Sequence, residues 1–247
     1  MLIAYGDFLK LIKTGIKGLD AVLDGGLREN SSVLLTGSPG TGKTIFALQF
    51  ICEGARKGEP GLYITFEESI DSVREYASSV GIDLDEYERQ GLITLVQQRI
   101  SDKKLMTISA PISVINQKNI KRVALDSLTL FEYIHVAGTM DFRKEVLDFI
   151  LKMKAAGVTL VATSQKSVVD LDALDYQPQD FLFEGVILLS KIRKASSFER
   201  CINVVKLRGQ KHSIDIYPFS IGKGGIDVHN KQVPFSLIEQ DSDKFEK

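Results

Sequence analysis

The segment GSPGTGKT at residues 37–44 follows the pattern G-x-x-x-x-G-K-[ST], which is typical of loops that bind phosphate groups. It comes after the apolar run SVLLTG and opens a helix-length apolar run, the context that such a loop requires. Glycines let the backbone curl, so that N–H groups and the positive end of the helix converge on phosphate oxygens. Lys43 would reach the β- and γ-phosphates of ATP, and the Thr44 hydroxyl would bind Mg²⁺. The residues predicted to contact the nucleotide here are Gly37, Ser38, Pro39, Gly40, Thr41, Gly42, Lys43, Thr44 and Ile45.

Carboxylates follow two other apolar runs. RVALDS contains Asp126, which would project from the carboxyl edge of a sheet and bind the metal; the alternative is an aspartate that caps the next turn. YITFEES contains Glu67 and Glu68, of which a strand would direct only one towards the nucleotide, where it would orient or deprotonate water. The alternative is that both glutamates are solvated charges at the start of the helix that begins at Ser69.

A pair of cations lies in the segment VVKLRGQKH, residues 204–212. Lys206 and Arg208 are two residues apart in a predicted strand, so their side chains point to the same face and repel each other. This arrangement indicates a binding site for an anion. The alternative is a solvated strand edge that is charged to block aggregation.

The periodicity of apolar residues predicts the elements that position these groups. Strand-like and helix-length runs alternate up to residue 165, which favours a parallel sheet with helices on both faces. From Gly185 onward only strands separated by short turns are predicted, as in an antiparallel extension. We therefore expect one α/β domain over residues 1–247. The predicted strands are 32–37, 61–68, 91–98, 122–127 and 158–165, and the predicted helices are 43–58, 69–81 and 140–157.

Composition narrows the function classes. The chain has 247 residues and a net charge of −1, so no global basic field attracts nucleic acid or an anionic membrane. No apolar run approaches the roughly 18 residues of a membrane span, and MLIAYGDFLKLIKTG lacks the features of a signal peptide. Cys52 and Cys201 are interpreted as small core residues in a reducing compartment. A cytoplasmic location without membrane contact is predicted.

The chain resembles the KaiC-like branch of the RecA superfamily of P-loop ATPases, an archaeal-type family related to RadA. TGIKGLDAVLDGGL at 14–27 is similar to the opening segment of that family, and GSPGTGKT, TFEES, ALDS and KLRGQKH follow in the family's order. The resemblance runs over nearly the whole length. It implies a RecA-like P-loop NTPase core, mostly a parallel sheet flanked by helices, with a C-terminal antiparallel strand extension. It also implies a homo-oligomeric ring, expected to be a hexamer, that hydrolyses ATP at subunit interfaces.

The resemblance also implies roles for individual residues. Glu67 would be the catalytic carboxylate with Glu68 beside it, and Mg²⁺ would lie at Thr44 and Asp126. Lys206 and Arg208 would meet the ATP phosphates held by the neighbouring subunit, as an arginine finger acting in trans. The residues that would contact the base and ribose are Leu207, Gln210 and His212, with Ser79 near the adenine.

The chain departs from the circadian clock protein of this family, which has two such domains in tandem. Its second domain phosphorylates an adjacent Ser-Thr pair, where this chain has Asp180 and Phe181 in QDFLFE. Autokinase activity at that place is therefore not expected. Gln165 ends the segment VTLVATSQ. It is either a sensor of the γ-phosphate or a strand-end amide without a specific role.

Two functions other than a ring-forming ATPase stay open. One is a RadA-paralogue-type regulator of recombination that binds single-stranded DNA. The other is a regulatory nucleotide-binding module with negligible turnover. Residues 166–184 carry one lysine against five carboxylates, the wrong sign for a channel that follows phosphates. A basic hairpin keeps nucleic-acid binding open. The sequence leaves the identity of any regulatory protein partner open. The basic residues of the hairpin are Lys191, Arg193, Lys194 and Arg200.

Overall fold

The structure of the protein is a computed structural model that describes residues 10–98, 112–129, 140–166, 178–194 and 196–235. Most of the acidic segment considered above, residues 167–177, lies outside the described residues, as do residues 1–9 of the N-terminal segment. Within the described ranges, no helix combines the length and apolar character needed to cross a membrane.

A nine-stranded sheet organises the described residues, in the order β11-β10-β9-β8-β3-β7-β6-β4-β5. The strands from β8 to β5 in this order are parallel, and β9, β10 and β11 extend the sheet in antiparallel pairs. The short strands β1 and β2 form a separate antiparallel pair. The strands are β1 Leu11–Ile12, β2 Leu27–Arg28, β3 Ser32–Gly37, β4 Gly61–Thr65, β5 Ile93–Gln97, β6 Arg122–Asp126, β7 Thr159–Gln165, β8 Gly185–Lys194, β9 Ser197–Leu207, β10 Ile216–Gly222 and β11 Gly225–Val228.

Helices cover both faces of the sheet. Leu35 packs with Phe50 of α2 in one apolar core, whereas Leu34 packs with Phe149 of α6 in another. Neighbouring residues of a strand point to opposite faces, and every residue of β3 is buried, so this strand is covered on both sides. The helices are α1 Leu19–Val22, α2 Lys43–Arg56, α3 Ile70–Ser79, α4 Leu84–Arg89, α5 Ile112–Gln117 and α6 Met140–Ala155, and a 3₁₀ helix spans Pro178–Phe181.

The structure confirms the predicted α/β class, the parallel core and the antiparallel extension. The predicted strand 61–68 was too long, because β4 ends where the Thr65 hydroxyl accepts the Glu68 amide at 3.0 Å and turns the chain. The next helix begins as predicted, since Ser69 Oγ accepts the Ser72 amide at 3.0 Å. Three short helices and the two-residue strands were not predicted, because a helix of four to six residues or a strand of two shows little periodicity. They are β1, β2, α1, α4 and α5.

A buried arginine ties the first residues of β6 to α2 and to the N-terminal segment. Arg122 is fully buried, and its Nε donates to Glu59 Oε2 at 2.7 Å. Its Nη1 donates to the carbonyls of Lys13 at 2.7 Å and Phe50 at 3.1 Å. The guanidinium carbon also lies 5.0 Å from the centroid of the Phe50 ring. This side chain therefore replaces the water that two main-chain carbonyls would otherwise bind.

Arg122→Met should lower the free energy of unfolding by about 2 kcal/mol, because the two carbonyls and Glu59 lose their charged partner. Urea denaturation followed by circular dichroism measures this change. The matched control is Lys121→Met, one residue earlier and exposed, which should change stability by less than about 0.5 kcal/mol. Equal stability of the two variants would contradict a structural role for the buried guanidinium.

Candidate functional site

The carboxyl ends of four adjacent parallel strands form the candidate site. The register places Gly37 of β3 beside Gln165 of β7, and Asp126 of β6 beside Thr65 of β4. Ligands of open α/β sheets bind at this edge. The fold therefore brings together the loop at 37–44, the acid at the end of β6 and the glutamates that follow β4.

The shape of the loop depends on its glycines and on hydrogen bonds within it. A Cβ atom at Gly37 would lie 2.2 Å from the Leu189 carbonyl oxygen, so β3 and β8 approach closely only because this residue is glycine. Gly40 and Gly42 have φ angles of 69° and 109°, which L-residues with side chains rarely adopt. Thr41 Oγ1 donates to the Ser38 carbonyl at 2.8 Å. No side chain caps the start of α2 at Gly42, which leaves its first amides directed at the site.

Lys43 bends back over the loop that precedes it. Its Nζ donates to the carbonyl of Gly37 at 2.8 Å and to that of Ser38 at 3.0 Å. Burial lowers the pKa of Lys43, an effect that nearby Asp126 and Glu67 oppose and nearby Lys191 reinforces. A charged amine that loses hydration in this way is stabilised by an incoming anion. The geometry therefore suits a phosphate group close to the ammonium.

The Asp126 carboxylate is the most heavily hydrogen-bonded group at this edge. Its Oδ2 accepts the Thr44 hydroxyl at 2.7 Å and the Tyr63 hydroxyl at 2.7 Å, while its Oδ1 accepts the Thr163 hydroxyl. Thr44 and Asp126 together offer the hard oxygen ligands that Mg²⁺ prefers. Within the described residues no group of three or more His, Cys, Asp or Glu residues could hold a metal. A magnesium ion here would depend on phosphate oxygens and water for the rest of its coordination, which fits a metal that arrives with a nucleotide.

Sequence reasoning missed Tyr63 and Thr163 as parts of the site. Burial raises the pKa of Tyr63 well above its ordinary value, and the charge of Asp126 raises it further, so the phenol stays a hydrogen-bond donor. The available signal was a hydroxyl side chain in the middle of β4 and another two residues before the end of β7. That signal does not identify the acceptor, because the strand order must be known first.

The two glutamates after β4 point in different directions. Glu67 Oε1 accepts the Ser127 hydroxyl at 2.6 Å, next to Asp126. Glu68 Oε2 accepts the Tyr76 hydroxyl of α3 at 3.1 Å. The arrangement agrees with the expectation that one carboxylate faces the site, and it favours Glu67 for that position.

The predicted cation pair lies away from the loop of its own chain. Lys206 Nζ donates to the Asp180 carbonyl at 2.8 Å, and Arg208 Nη2 donates to the Phe181 carbonyl at 3.1 Å. Burial lowers the pKa of Lys206, and the charge of Arg208 lowers it further, as expected for neighbouring cations. Through Gly185 the register aligns Leu207 with Val33, four residues before Gly37, which is about 13 Å along the strands. The end of β9 therefore faces the opposite edge of the sheet.

The remaining predicted contacts are spread over several elements. Gln210 Nε2 donates to the carbonyls of Leu23 at 2.7 Å and Gly26 at 2.6 Å, and thereby joins the segment after β9 to the chain before β2. His212 Nδ1 lies 2.9 Å from the Ser213 carbonyl oxygen. Ser79 ends α3 and donates to the Tyr76 carbonyl at 2.7 Å. Gln165 ends β7 beside Gly37, and its main-chain N–H donates to Thr129 Oγ1 at 2.6 Å.

The comparisons with known proteins agree with one another. A family model described as the KaiC ATPase matches residues 12–233. A UPF0273 protein of Aeropyrum pernix is 33% identical over 238 residues, which cover 90% of this chain and 94% of that protein. The circadian clock oscillator protein KaiC of Prochlorococcus marinus is 33% identical over 228 residues, which cover 88% of this chain but 45% of that protein. The chain thus matches about half the length of KaiC.

One solved structure is similar to this chain over almost the whole length of the solved protein. The crystal structure of a KaiC-like protein from the hyperthermophilic archaeon Pyrococcus horikoshii superposes with a TM-score of 0.79 at 33% sequence identity. The match covers 90% of this chain and 99% of that one. The parallel core and the antiparallel strands at its side are therefore an arrangement shared with a KaiC-like protein.

Tyr63→Phe should weaken nucleotide binding in the presence of Mg²⁺ by about tenfold, because Asp126 loses a donor that orients it as a metal ligand. Binding of ATP without the metal should change little. Calorimetric titration with ATP, in Mg²⁺ and then in EDTA, measures both affinities. Tyr87→Phe is the matched control, since this tyrosine belongs to α4 and should leave both affinities unchanged. A Tyr63→Phe protein with normal affinity in Mg²⁺ would remove Tyr63 from the metal site.

Proposed function

The chain belongs to the KaiC family of ATPases, and from this premise we propose that it binds Mg-ATP at residues 37–45 and hydrolyses it between the subunits of a homo-oligomeric ring. The observation that carries the proposal is the 2.7 Å hydrogen bond between the Thr44 hydroxyl and Asp126, directly beside the Lys43 ammonium. A metal ligand pair and a desolvated cation at one helix N-terminus are the parts that phosphoryl transfer needs. The nine-stranded sheet supports the prediction of one ATPase domain.

Lys43 and the first amides of α2 would bind the phosphates in the ground state and in the transition state. When ATP binds, the ammonium can exchange the carbonyls of Gly37 and Ser38 for phosphate oxygens, which carry full charge. Thr44 and Asp126 would hold Mg²⁺, which neutralises charge on the phosphates. Tyr63 and Thr163 would keep the Asp126 carboxylate directed at the metal.

Glu67 would orient and deprotonate the attacking water. The Ser127 hydroxyl occupies Glu67 Oε1 at 2.6 Å, and the other carboxylate oxygen has no hydrogen bond among the described residues. A carboxylate held through one oxygen presents the second in a defined direction. Glu68 would support α3 through Tyr76 instead of acting on water.

Lys206 and Arg208 would complete the active site of the neighbouring subunit. Their position about 13 Å before the loop, measured along the strands, supports action in trans. Both side chains bond main-chain carbonyls, which are weaker acceptors than phosphate, so an incoming nucleotide could draw them away. Arginine fingers of this kind raise turnover by about 10³–10⁵-fold.

Two variants test the trans arrangement in one experiment. Lys43→Ala should abolish ATP binding, because the cation that offsets the triphosphate is lost. Arg208→Ala should still bind ATP but lose at least about 100-fold in turnover, because charge developing on the γ-phosphate is not stabilised. Mixing the two proteins should restore activity above the sum of the parents, since a mixed ring pairs an intact loop with an intact finger. Phosphate release at several mixing ratios measures the gain.

The mixture separates the competing roles of the cation pair. A role in cis predicts no rescue at any ratio, and a solvated strand edge predicts near-normal turnover for Arg208→Ala alone. Circular dichroism of each variant and light scattering of the mixture serve as controls for folding and for subunit exchange. If the wild-type protein does not bind ATP, the proposed function as a whole is wrong.

No stable phosphoprotein should form between residues 175 and 190. Asp180 is buried and bonded to Lys166 at 3.2 Å, and Phe181 carries no hydroxyl group. Neither side chain is an acceptor for the phosphoester chemistry of serine and threonine. Incubation with Mg-ATP followed by intact-mass measurement should therefore show the unmodified mass. A stoichiometric phosphate on this segment would contradict the expectation.

A further inference from the structure

Lys191 of β8 lies over the phosphate-binding loop of its own chain. The register pairs Leu189 with Gly37, the last residue of β3, so that Lys191 stands two residues beyond the end of that strand. Its Nζ donates to the Pro39 carbonyl at 3.1 Å, although the side chain is largely exposed. A Cβ atom built on Gly40 would lie 3.1 Å from the same nitrogen. The ammonium therefore touches the middle of the loop.

The surroundings of Lys191 contain an excess of positive charge. Arg200 is directly opposite it on β9, so the two side chains share a face. The Nε of Arg200 is buried and has no hydrogen-bond partner among the described residues. In the described part of the chain Lys191 forms no ion pair and its ammonium bonds a main-chain carbonyl, so an incoming anion would stabilise it.

The contact with Pro39 indicates which end of the nucleotide is near. Lys43 Nζ bonds the carbonyls of Gly37 and Ser38, and Pro39 is the next residue. The lysine of such a loop reaches the β- and γ-phosphates. Lys191 reaches the neighbouring residue Pro39 from β8. The Lys191 side chain would therefore contact the terminal phosphate of a nucleotide bound by this loop.

We propose that Lys191 binds the terminal phosphate of ATP in cis, as a second lysine of the phosphate-binding site. This inference rests on the proposed function, because it requires ATP at residues 37–45. On binding, the ammonium would exchange the Pro39 carbonyl for a phosphate oxygen, which is a stronger acceptor. The residue would thereby favour the triphosphate over the diphosphate, while Arg208 of a neighbouring subunit would approach from outside.

Calorimetric titration of variants tests this role with two probes in Mg²⁺, a non-hydrolysable β,γ-imido analogue of ATP, and ADP. Lys191→Gln keeps a donor for the Pro39 carbonyl but removes the charge. It should bind the analogue about tenfold more weakly than the wild type, with less than about a twofold change for ADP. Lys191→Arg should keep most of the wild-type affinity for both.

The matched control is Arg193→Gln, which removes a cation two residues further along the same face of β8. It should leave both affinities unchanged. An equal loss of affinity in Arg193→Gln would indicate a diffuse basic field and would overturn the proposal. Equal losses of affinity for the analogue and for ADP in Lys191→Gln would indicate a structural role in holding the loop, and would also overturn it. Unchanged binding of the analogue by Lys191→Gln would also overturn it.

Failure of this inference is distinguishable from failure of the proposed function. If the wild-type protein binds neither probe, both fall together; if it binds both probes and Lys191→Gln behaves like it, only the role of Lys191 falls. Thermal unfolding of each variant should match the wild type, because the side chain is exposed. Lys191→Met provides a second neutral side chain, and it should reproduce the loss seen for Lys191→Gln.

Discussion

The hydrogen bonds to Asp126 are the interaction on which the rest of the site depends. Thr44 of α2, Tyr63 of β4 and Thr163 of β7 donate to one carboxylate. These elements are separate in the sequence, and β4 and β7 lie on either side of β6, the strand of Asp126. A partly buried carboxylate loses hydration, and these hydroxyls replace the lost water. These bonds also set the direction in which the carboxylate faces the loop.

Positive charge is distributed over both edges of the sheet. Lys43 and Lys191 converge on the loop at the carboxyl edge, whereas the end of β9 places Lys206 and Arg208 towards the amino edge. Each of these cations bonds main-chain carbonyl oxygens in the isolated chain. Carbonyls are weak substitutes for phosphate. The proposed ring gives both sets of cations an anion, because each nucleotide would lie between the carboxyl edge of one subunit and the amino edge of the next.

Sequence patterns predicted the parts whose structure depends on near neighbours. The loop at 37–44, the cap at Ser69 and the long helix of Phe149 follow from glycine positions, a serine hydroxyl and apolar periodicity. The limit of β4 was predicted wrongly, since a single hydroxyl, that of Thr65, bonds the Glu68 amide and ends the strand. Short elements such as α4 escaped prediction because their stability comes from packing and not from local propensity.

Sequence patterns alone indicated an α/β fold with an antiparallel extension, a loop with the sequence pattern of phosphate-binding loops, and an acid at the end of a later strand. Three contacts became known from the folded chain: Tyr63 bonds Asp126, Glu67 and not Glu68 bonds Ser127, and Lys191 bonds the Pro39 carbonyl. The physical reason is that a local pattern states which face of an element is apolar and where the element ends. Which strand ends lie side by side depends on pairings between residues far apart in the chain, and a shift of one residue in register would move every such side chain to the other face.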